Sequence, residues 1–408
     1  MSAAPSPPPL LAFEDARRIV IDTVRALGIK PSVETVPVDQ AHGRVLAEPA
    51  RADRDYPPLR RSLRDGFAVH SADLPGTLRI RGEVRAGDLL QSPLARGEAL
   101  EIMTGAPVPG EADAVVMVEH VERAADGSQS KIGRSADPGQ FINAQGVEAQ
   151  ASSVLIPGGT RLDASHIATL AMTGQLSVGV FRQPSVAILA TGDEIVGVDE
   201  KPAPHQIRNS NAQMLAALVR SAGGRPTILP VARDTTEALR PLLKRGLEHD
   251  LLVTTGGVSA GKYDLVKPSL RDLGVNFHFE RVRVQPGQPT AFGIGSGSIP
   301  VFGLPGNPGS TLITFQLFAC PAIELLAGQT EPLLPLLSAC FEAPFRHKLG
   351  LTRFLPARLS SDGQSVRHIP WQGSSDVPAL AKANAFLVAN YDRENWAAGD
   401  SIRVMLKP

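Results

Sequence analysis

Between residues 185 and 327, short apolar segments alternate with longer helical patterns, and this alternation constrains the fold more than any other feature. We expect strands at 186–190, 227–231, 250–253 and 300–303, and helices at 211–221, 236–247, 265–273 and 308–327. Strands and helices that alternate with short loops are typical of an α/β sandwich with a mostly parallel sheet. Ligands of such sheets bind beyond the carboxyl ends of the strands. The loops after these strands are therefore the first candidates for a site.

The loop that follows the strand at 250–253 is rich in glycine, with three glycines between residues 254 and 264. Glycine lets the backbone approach a ligand closely, and consecutive N–H groups form an anion-binding concavity, so we expect a phosphate or similar anion there. The spacing of Gly256, Gly261 and Lys262 resembles a P-loop. Tyr263 stands where that motif has a magnesium-binding hydroxyl, so we exclude a P-loop NTPase. A glycine-rich turn with only a steric role stays open.

Carboxylates gather on the same predicted edge. Asp193 and Glu194 follow the strand at 186–190, and Asp234 and Asp264 lie in two further loops. Carboxylates without histidine or cysteine suit a hard cation such as Mg²⁺, which is usually held together with substrate phosphates. We therefore expect metal-assisted chemistry on a phosphate ester or pyrophosphate. The alternative is that Asp193 and Asp234 are helix N-caps.

Composition limits the class of protein. A chain of 408 residues exceeds the size at which one core keeps growing, so several domains are expected. Its 41 basic and 41 acidic residues argue against a nucleic-acid binder, and 5% aromatic residues offer no stacking platform for bases. Two cysteines without zinc-ligand spacing fit a reducing compartment. The apolar stretch 312–327 is interrupted by polar residues, and the segment 1–9 lacks a basic start, so we expect a cytoplasmic protein without a membrane span.

The flanking regions follow other patterns. Helical stripes at 13–27 and 165–172 surround a run of short strands, which predicts a mixed α/β domain at 10–54 and 143–180 with a β-rich domain inserted at 55–142. The α/β domain is expected at 181–329. After a proline-rich linker, short strands predict a small β-barrel at 330–408. The predicted fold class is therefore a multidomain α/β protein with a C-terminal barrel.

Six segments, taken in order, resemble one family. They are Arg64-Asp-Gly-Phe-Ala-Val69, Met103-Thr-Gly-Ala-Pro-Val-Pro109, Thr191-Gly-Asp-Glu-Ile195, Thr255–Asp264, Gln285-Pro-Gly-Gln-Pro289 and Gly303-Leu-Pro-Gly-Asn-Pro308. Together they look like the MoeA and gephyrin E-domain family of molybdopterin molybdenumtransferases, and the resemblance covers essentially the whole chain. It implies a four-domain fold and a homodimer whose clefts are shared between subunits. It also implies Mg²⁺-dependent insertion of molybdenum from molybdate into adenylylated molybdopterin, with release of AMP, and other proteins of the molybdenum-cofactor pathway as partners.

The resemblance also assigns residues to the site. It implies catalytic roles for the acidic residues Asp65, Glu148, Glu194, Asp234 and Asp264, with Glu194 and Asp264 as magnesium ligands. It implies substrate binding by Arg64, Thr191, Gly192, Asp193, Ser210, Gly256, Gly257, Ser259, Gly261, Lys267, Gln285, Gln288, Pro305, Gly306, Asn307 and Pro308. For Asp65 the alternative is a turn residue that bonds its own backbone.

The chain lacks several positive charges that are usual in the family. Gln285 and Gln288 replace the lysines of a Lys-Pro-Gly-Lys-Pro stretch, and residues 143–145 read Asn-Ala-Gln where a basic run is usual. Residues 62–64 read Ser-Leu-Arg where Ser-Ala-Met is usual. Arginine suits tetrahedral oxyanions, so Arg64, Arg281 and Arg283 are candidates to supply the missing charge.

Two further functions stay open. The first is a non-catalytic pterin-binding scaffold on the same fold, which the lost lysines favour and the retained Asp193, Glu194 and Asp264 oppose. The second is a hydrolase of a nucleotide pyrophosphate that shares only the α/β domain. The matching N-terminal and C-terminal segments oppose that second alternative.

Overall fold

The computed structural model describes residues 10–89, 93–258 and 264–408. Three six-stranded sheets organise this part of the chain. One lies within residues 66–132 and is called the inserted sheet below. A second lies within residues 185–304 and is called the central sheet, and the third is built mainly from residues 336–406.

The N-terminal helix Phe13–Ala26 packs against the core of the central region. Its buried residues Phe13, Ala16, Val20 and Val24 repeat every three or four positions, so they form one apolar face of the helix that packs on this core. The remaining N-terminal elements form two antiparallel pairs, Val33–Pro37 with Ser177–Phe181 and Ala50–Arg51 with Val154–Ile156, together with the helices Val38–Gln40 and Ala164–Met172. The Asp163 side chain caps the last of these helices.

The inserted sheet has buried residues on both faces. Its strands are Gly66–Val69, Gly76–Val84, Glu98–Ile102, Ala114–Met117, Val121–Arg123 and Gln129–Ile132, with the short helices Ser71–Asp73 and Val118–His120 between them. Arg61–Ser62 and Ile142–Asn143 form a separate antiparallel pair. Gly66 begins the first strand, and a Cβ atom there would overlap the carbonyl of Val116. Only glycine therefore fits directly after Asp65.

The central sheet confirms the predicted mostly parallel arrangement. Four parallel strands stand in the order Arg225–Ile228, Ser185–Ala190, Leu251–Thr255 and Ile299–Leu304. Ala291–Gly295 follows and is antiparallel to both of its neighbours, of which Asn276–Phe279 forms the edge. The strand Arg225–Ile228 begins and ends two to three residues earlier than the predicted 227–231, because its regular pairing stops after Leu229, and the next N–H to reach the neighbouring strand is that of Ala232. A short parallel pair, Ile195–Val196 with Ile207–Arg208, lies beside the sheet.

Helices cover both faces of the central sheet. In the strand Ser185–Ala190, Val186 and Ile188 belong to one core and Ala187 and Leu189 to the other, as the two-residue period of a strand requires. The helices are Ser210–Ser221, Thr236–Gly246, Val266–Asp272 and the long segment Pro308–Leu326. The α/β sandwich predicted for this part of the chain is thus confirmed.

The long helical segment contains a π-helical turn at Phe315–Ala319 between Pro308–Thr314 and Cys320–Leu326. Pro321 has no N–H for the Leu317 carbonyl one turn earlier. The buried Arg17 guanidinium donates to that carbonyl instead, at 3.0 Å. The segment Pro308–Leu326 is long and apolar enough to cross a membrane. However, 94% of its apolar 18-residue stretch is buried inside the protein, so its apolar surface belongs to the core.

Arg17→Met is expected to lower the free energy of unfolding by about 1–3 kcal/mol, because the buried Leu317 carbonyl loses its side-chain donor. Pro321→Ala restores a backbone N–H at the right spacing, so the same change should cost less in that background. Urea unfolding of wild type, both single variants and the double variant measures the coupling. An equal cost of Arg17→Met in both backgrounds would contradict this account.

The C-terminal sheet closes into a five-stranded barrel, which confirms that prediction. Its strands are Leu336–Phe341, Thr352–Leu359, Ser365–His368, Ala385–Ala389 and Ser401–Leu406, and each pairs with two of the others. The helix Val377–Lys382 and the pair Phe345–Arg346 with Asn395–Trp396 complete the region. The strand Val284–Gln285 adds to the barrel beside Thr352 and Arg353, and so ties the central region to it.

Candidate active site

The carboxyl ends of the parallel strands enclose a cavity of about 750 Å³. Three loops that follow parallel strands, and that carry Glu194, Gly256 and Pro305, all line it. The predicted residues in its lining are Thr191, Gly192, Glu194, Ser210, Asp234, Gly256, Gly257, Asp264, Pro305, Gly306, Asn307 and Pro308. Ser259 and Gly261 lie outside the described residues.

Two glycines let the loop after Leu251–Thr255 pack tightly on its neighbours. Gly256 and Gly257 have φ values of 93° and 62°, which favour glycine. A Cβ atom at Gly256 would lie 2.5 Å from the Thr191 carbonyl oxygen, and one at Gly257 would lie 2.6 Å from the Val266 side chain. Their steric role is thus evident, and it brings this loop against the one that carries Gly192 and Glu194.

Asn211 joins two of these loops by hydrogen bonds. Its Nδ2 donates to Thr255 Oγ1 at 3.0 Å and to the Gly306 carbonyl at 2.6 Å. Thr311 Oγ1 donates to the Pro305 carbonyl at 2.6 Å. These bonds fix the 305–308 turn over the strand ends. Sequence reasoning missed Asn211, and its signal was a polar residue one position inside a helix that begins beside the site.

Carboxylates crowd the acidic side of the cavity. The pKa of Asp234 is raised by burial and then by the nearby negative charges of Asp193 and Glu194. Burial also raises the pKa of the Asp264 carboxyl, although Lys267 opposes that effect. Asp264 Oδ1 is buried and has no hydrogen-bond partner within the described residues. A buried acceptor of this kind requires an explanation, and a bound cation would supply one.

Lys267 lies behind Asp264 and contacts carboxylates. Its Nζ is 3.3 Å from Asp264 Oδ2 and 3.6 Å from Glu280 Oε2, and Arg271 also pairs with Glu280. The side chains of Lys267 and Asp264 are only 14% and 9% exposed. Lys267 therefore fixes one oxygen of Asp264 and leaves Oδ1 for another partner.

The helix-cap alternative for Asp193 and Asp234 is wrong. Thr235 caps the helix Thr236–Gly246, since its Oγ1 accepts from the Ala238 N–H at 3.3 Å. Asp193 Oδ1 instead accepts from the Asp234 N–H at 3.4 Å. The two residues thus hold neighbouring loops together at the site.

Seven predicted residues are not among the described residues that line the cavity, and three of these belong to the N-terminal region. The seven are Asp193, Lys267, Gln285 and Gln288, together with the N-terminal Arg64, Asp65 and Glu148. The Asp65 carboxylate accepts from the N–H and Oγ1 of Thr104 at 2.6 and 2.7 Å, which holds its pKa below the usual range. Asp65 therefore bonds another loop, and the alternative that it bonds its own backbone is wrong. Glu148 accepts from Asn143 Nδ2 at 2.9 Å.

The Gln-Pro-Gly-Gln-Pro turn reaches the cavity through Pro289. Gln285 pairs in register with Arg353, whose buried Nε has no partner within the described chain. Arg283, a candidate to replace the missing lysines, has its guanidinium 4.8 Å from the centre of the Tyr391 ring. Sequence reasoning missed Arg353, because its place beside Gln285 depends on pairing between distant strands.

The C-terminal region adds a wall that was not predicted. Ser375 and Val377 line the cavity, and Asn307 Nδ2 donates to Ser374 Oγ at 2.9 Å. Arg208 is a further lining residue that the sequence did not suggest. The only sequence signal for the C-terminal part of the lining was the run of glycine and serine at 373–375 before the helix Val377–Lys382.

The chain is similar to known proteins over most of its length. It matches the models for the MoeA N-terminal region (domain I and II) over residues 11–174, a probable molybdopterin binding domain over 187–325, and the MoeA C-terminal region (domain IV) over 339–407. It is 32% identical over 408 residues to the molybdopterin molybdenumtransferase of Staphylococcus epidermidis, an alignment that covers 98% of this chain and 96% of that protein. The chain belongs to the MoeA family of molybdopterin molybdenumtransferases. The resemblance stated from the sequence is confirmed.

Other MoeA relatives agree with this assignment. The molybdopterin molybdenumtransferase of Bacillus subtilis is 33% identical over 385 residues, covering 91% of this chain and 89% of that protein. A crystal structure of the molybdopterin biosynthesis moeA protein from Pyrococcus horikoshii OT3 superposes with a TM-score of 0.81 at 27% identity, covering 98% of this chain and 100% of that one. As a MoeA-family transferase, the chain belongs to molybdenum-cofactor biosynthesis.

Proposed function

We propose that this chain inserts molybdenum from molybdate into adenylylated molybdopterin in a magnesium-dependent reaction that releases AMP. One observation carries the proposal. Asp264 Oδ1 is buried without a partner in the described chain, at a cavity that Glu194 and Asp234 also line. In a MoeA-family protein, such an acidic edge beside glycine loops suits a cation bound together with a substrate phosphate.

Magnesium fits these residues, and Glu194 and Asp264 would hold it. Mg²⁺ is usually bound by one or two carboxylates, with substrate phosphates and water as its other ligands. Within the described residues no three His, Cys, Asp or Glu side chains form a metal-binding group, so an all-protein site is not expected. When bound, the ion would neutralise charge on the phosphate that leaves as AMP.

Other polar groups of the cavity would orient the substrate. Thr191 Oγ1 and Asn211 Oδ1 are buried and have no partner within the described residues. A ligand with donor and acceptor groups on its edge, such as a pterin, would satisfy both of them. The turn at 305–308 begins the long helical segment, and a helix N-terminus favours an anion. The chain would thus hold the pterin and its phosphate at different walls of one cavity.

A second subunit would complete the site. Asp65 and Glu148, which the resemblance assigns to catalysis, do not line the cavity of their own chain in its described part. We propose a homodimer in which these residues face the partner's cavity. The protein would act in the cytoplasm and hand its product to other proteins of the pathway.

One assay separates this function from the alternatives. Purified protein is supplied with adenylylated molybdopterin and magnesium, and AMP release is followed with and without molybdate. A molybdenumtransferase releases AMP in a molybdate-dependent manner, whereas a pyrophosphate hydrolase releases it without molybdate. Binding of the pterin with no AMP release would instead support the non-catalytic scaffold, which the glutamines at 285 and 288 favour.

Gln288→Lys is expected to lower the molybdate concentration for half-maximal AMP release by about fivefold. A fixed cation ~4 Å from an anion can contribute on the order of a few kcal/mol at an effective dielectric near 20, and partial exposure reduces this to about 1 kcal/mol. Gln364→Lys adds the same charge at an exposed position in the barrel region and serves as the control. An unchanged molybdate requirement in Gln288→Lys would show that this turn does not contact the oxyanion.

A further inference from the structure

A second cavity, of about 120 Å³, lies on the inserted sheet at the end of the strand Ala114–Met117. Its lining includes Met117, His120, Arg134, Ser135, Gln140 and Phe141. A water molecule occupies about 30 Å³ in the liquid, so this cavity has room for a small polyatomic group. A whole nucleotide or pterin would not fit.

The groups around this cavity favour a negative charge. Within the described residues, neither Arg134 nor His120 has a carboxylate oxygen within 4.0 Å. On the same sheet, by contrast, Lys131 lies 3.4 Å from a Glu122 oxygen. Gln140 Oε1 accepts from the Asp137 N–H at 3.0 Å, so the donors that remain on Gln140 are those of its amide nitrogen.

Phe141 forms one wall in an unusual backbone conformation. Its φ is 55°, which is uncommon for a bulky residue and recurs at ligand sites. Its carbonyl accepts from the Leu63 N–H at 2.9 Å, which helps to fix this geometry. The Arg64 guanidinium lies over the ring, 6.0 Å from its centre. The Asp65 carboxylate next to Arg64 is already bonded to Thr104, as described above.

We propose that this cavity binds a tetrahedral oxyanion of the phosphate and molybdate class. Arg134 supplies the charge, because a guanidinium matches such an oxyanion with paired N–H groups. His120 and Gln140 donate the other hydrogen bonds. Two sources carry this chemistry: a free inorganic oxyanion, and the phosphate of a nucleotide whose remainder stays outside. The proposal does not depend on the activity proposed above.

Isothermal titration of the full-length protein tests it, with inorganic phosphate, molybdate and AMP as separate probes. The candidate active site can also take anions, so variants are compared with wild type. Arg134→Gln is expected to weaken phosphate and molybdate binding about tenfold, since it removes charge-assisted hydrogen bonds. Arg367→Gln removes the same charge from an exposed strand position and should change neither affinity.

A second variant, Gln140→Leu, keeps the charge and removes only the amide donors. It should weaken the same probes by a smaller factor, and circular dichroism verifies that each variant folds. If Arg134→Gln weakens AMP as much as phosphate, the cavity takes a nucleotide's phosphate, and if AMP is unaffected it takes the free oxyanion. Wild-type affinity for phosphate and molybdate in both Arg134→Gln and Gln140→Leu would overturn the proposal, and so would an equal loss in Arg367→Gln.

Discussion

Asp264→Asn is expected to lower the rate of AMP release by about a hundredfold or more while the fold is retained. The change removes a negative charge whose Oδ1 is buried without a partner in the described chain. A loss of about 3 kcal/mol in transition-state stabilisation corresponds to this factor, and removing a ligand of a catalytic cation costs energy of that order. Lys267 keeps its contact with Glu280, so the substitution does not leave its ammonium group without a counter-charge.

The measurement is AMP release at saturating magnesium and molybdate, with thermal unfolding as the test of the fold. Asp272→Asn is the matched control, since Asp272 is an exposed aspartate at the end of the neighbouring helix Val266–Asp272. Glu194→Gln should behave like Asp264→Asn. Full activity in either site variant would remove that carboxylate from the proposed chemistry.

Mixing Asp65→Asn protein with Asp264→Asn protein is expected to restore about a quarter of the wild-type activity. If each site combines Asp264 of one subunit with Asp65 of the other, random exchange makes half the dimers mixed, and each mixed dimer has one intact site. Each variant alone should be nearly inactive. The motivating observation is that Asp65 does not line the described cavity of its own chain.

A second mixture controls for this result. Glu194→Gln and Asp264→Asn affect the same cavity of the same chain, so every site of their mixed dimers carries one defect. That mixture should recover no activity. If subunit exchange is demonstrated and the first mixture also stays inactive, the shared site is wrong.

The central sheet could be predicted because its parallel strands and the helices around them each show a clear pattern within a short stretch of sequence. Val186–Ala190 is an uninterrupted apolar run whose successive residues enter two different cores, and the helices around it show clear periodicity. The parallel order then places Thr191, Gly256 and Pro305 on one edge without further knowledge. The strand predicted at 227–231 lies at Arg225–Ile228, because its register with the neighbouring strand changes after Leu229, which the run of hydrophobic residues does not reveal.

Other parts of the site depend on contacts between distant residues. Asn211 bonds Thr255 and Gly306, and Ser375 reaches the cavity from the barrel region. No local pattern encodes such contacts, because they follow from how the sheets pack. Arg353 stands beside Gln285 for the same reason. Lys267 was assigned to the site through the family resemblance, but its pairing with Asp264 and Glu280 required the structure.

The Gln-Pro-Gly-Gln-Pro turn is anchored at its two ends to different sheets. Val284–Gln285 belongs to the barrel, whereas Ala291–Gly295 belongs to the central sheet. Within the turn, Thr290 Oγ1 donates to the Gly287 carbonyl at 2.6 Å, so the connection is short and internally braced. A rotation of the barrel against the central sheet would therefore act on the five residues 286–290, of which Pro289 lines the cavity. The shape of the cavity and the relative orientation of the two regions are thus coupled through Pro289.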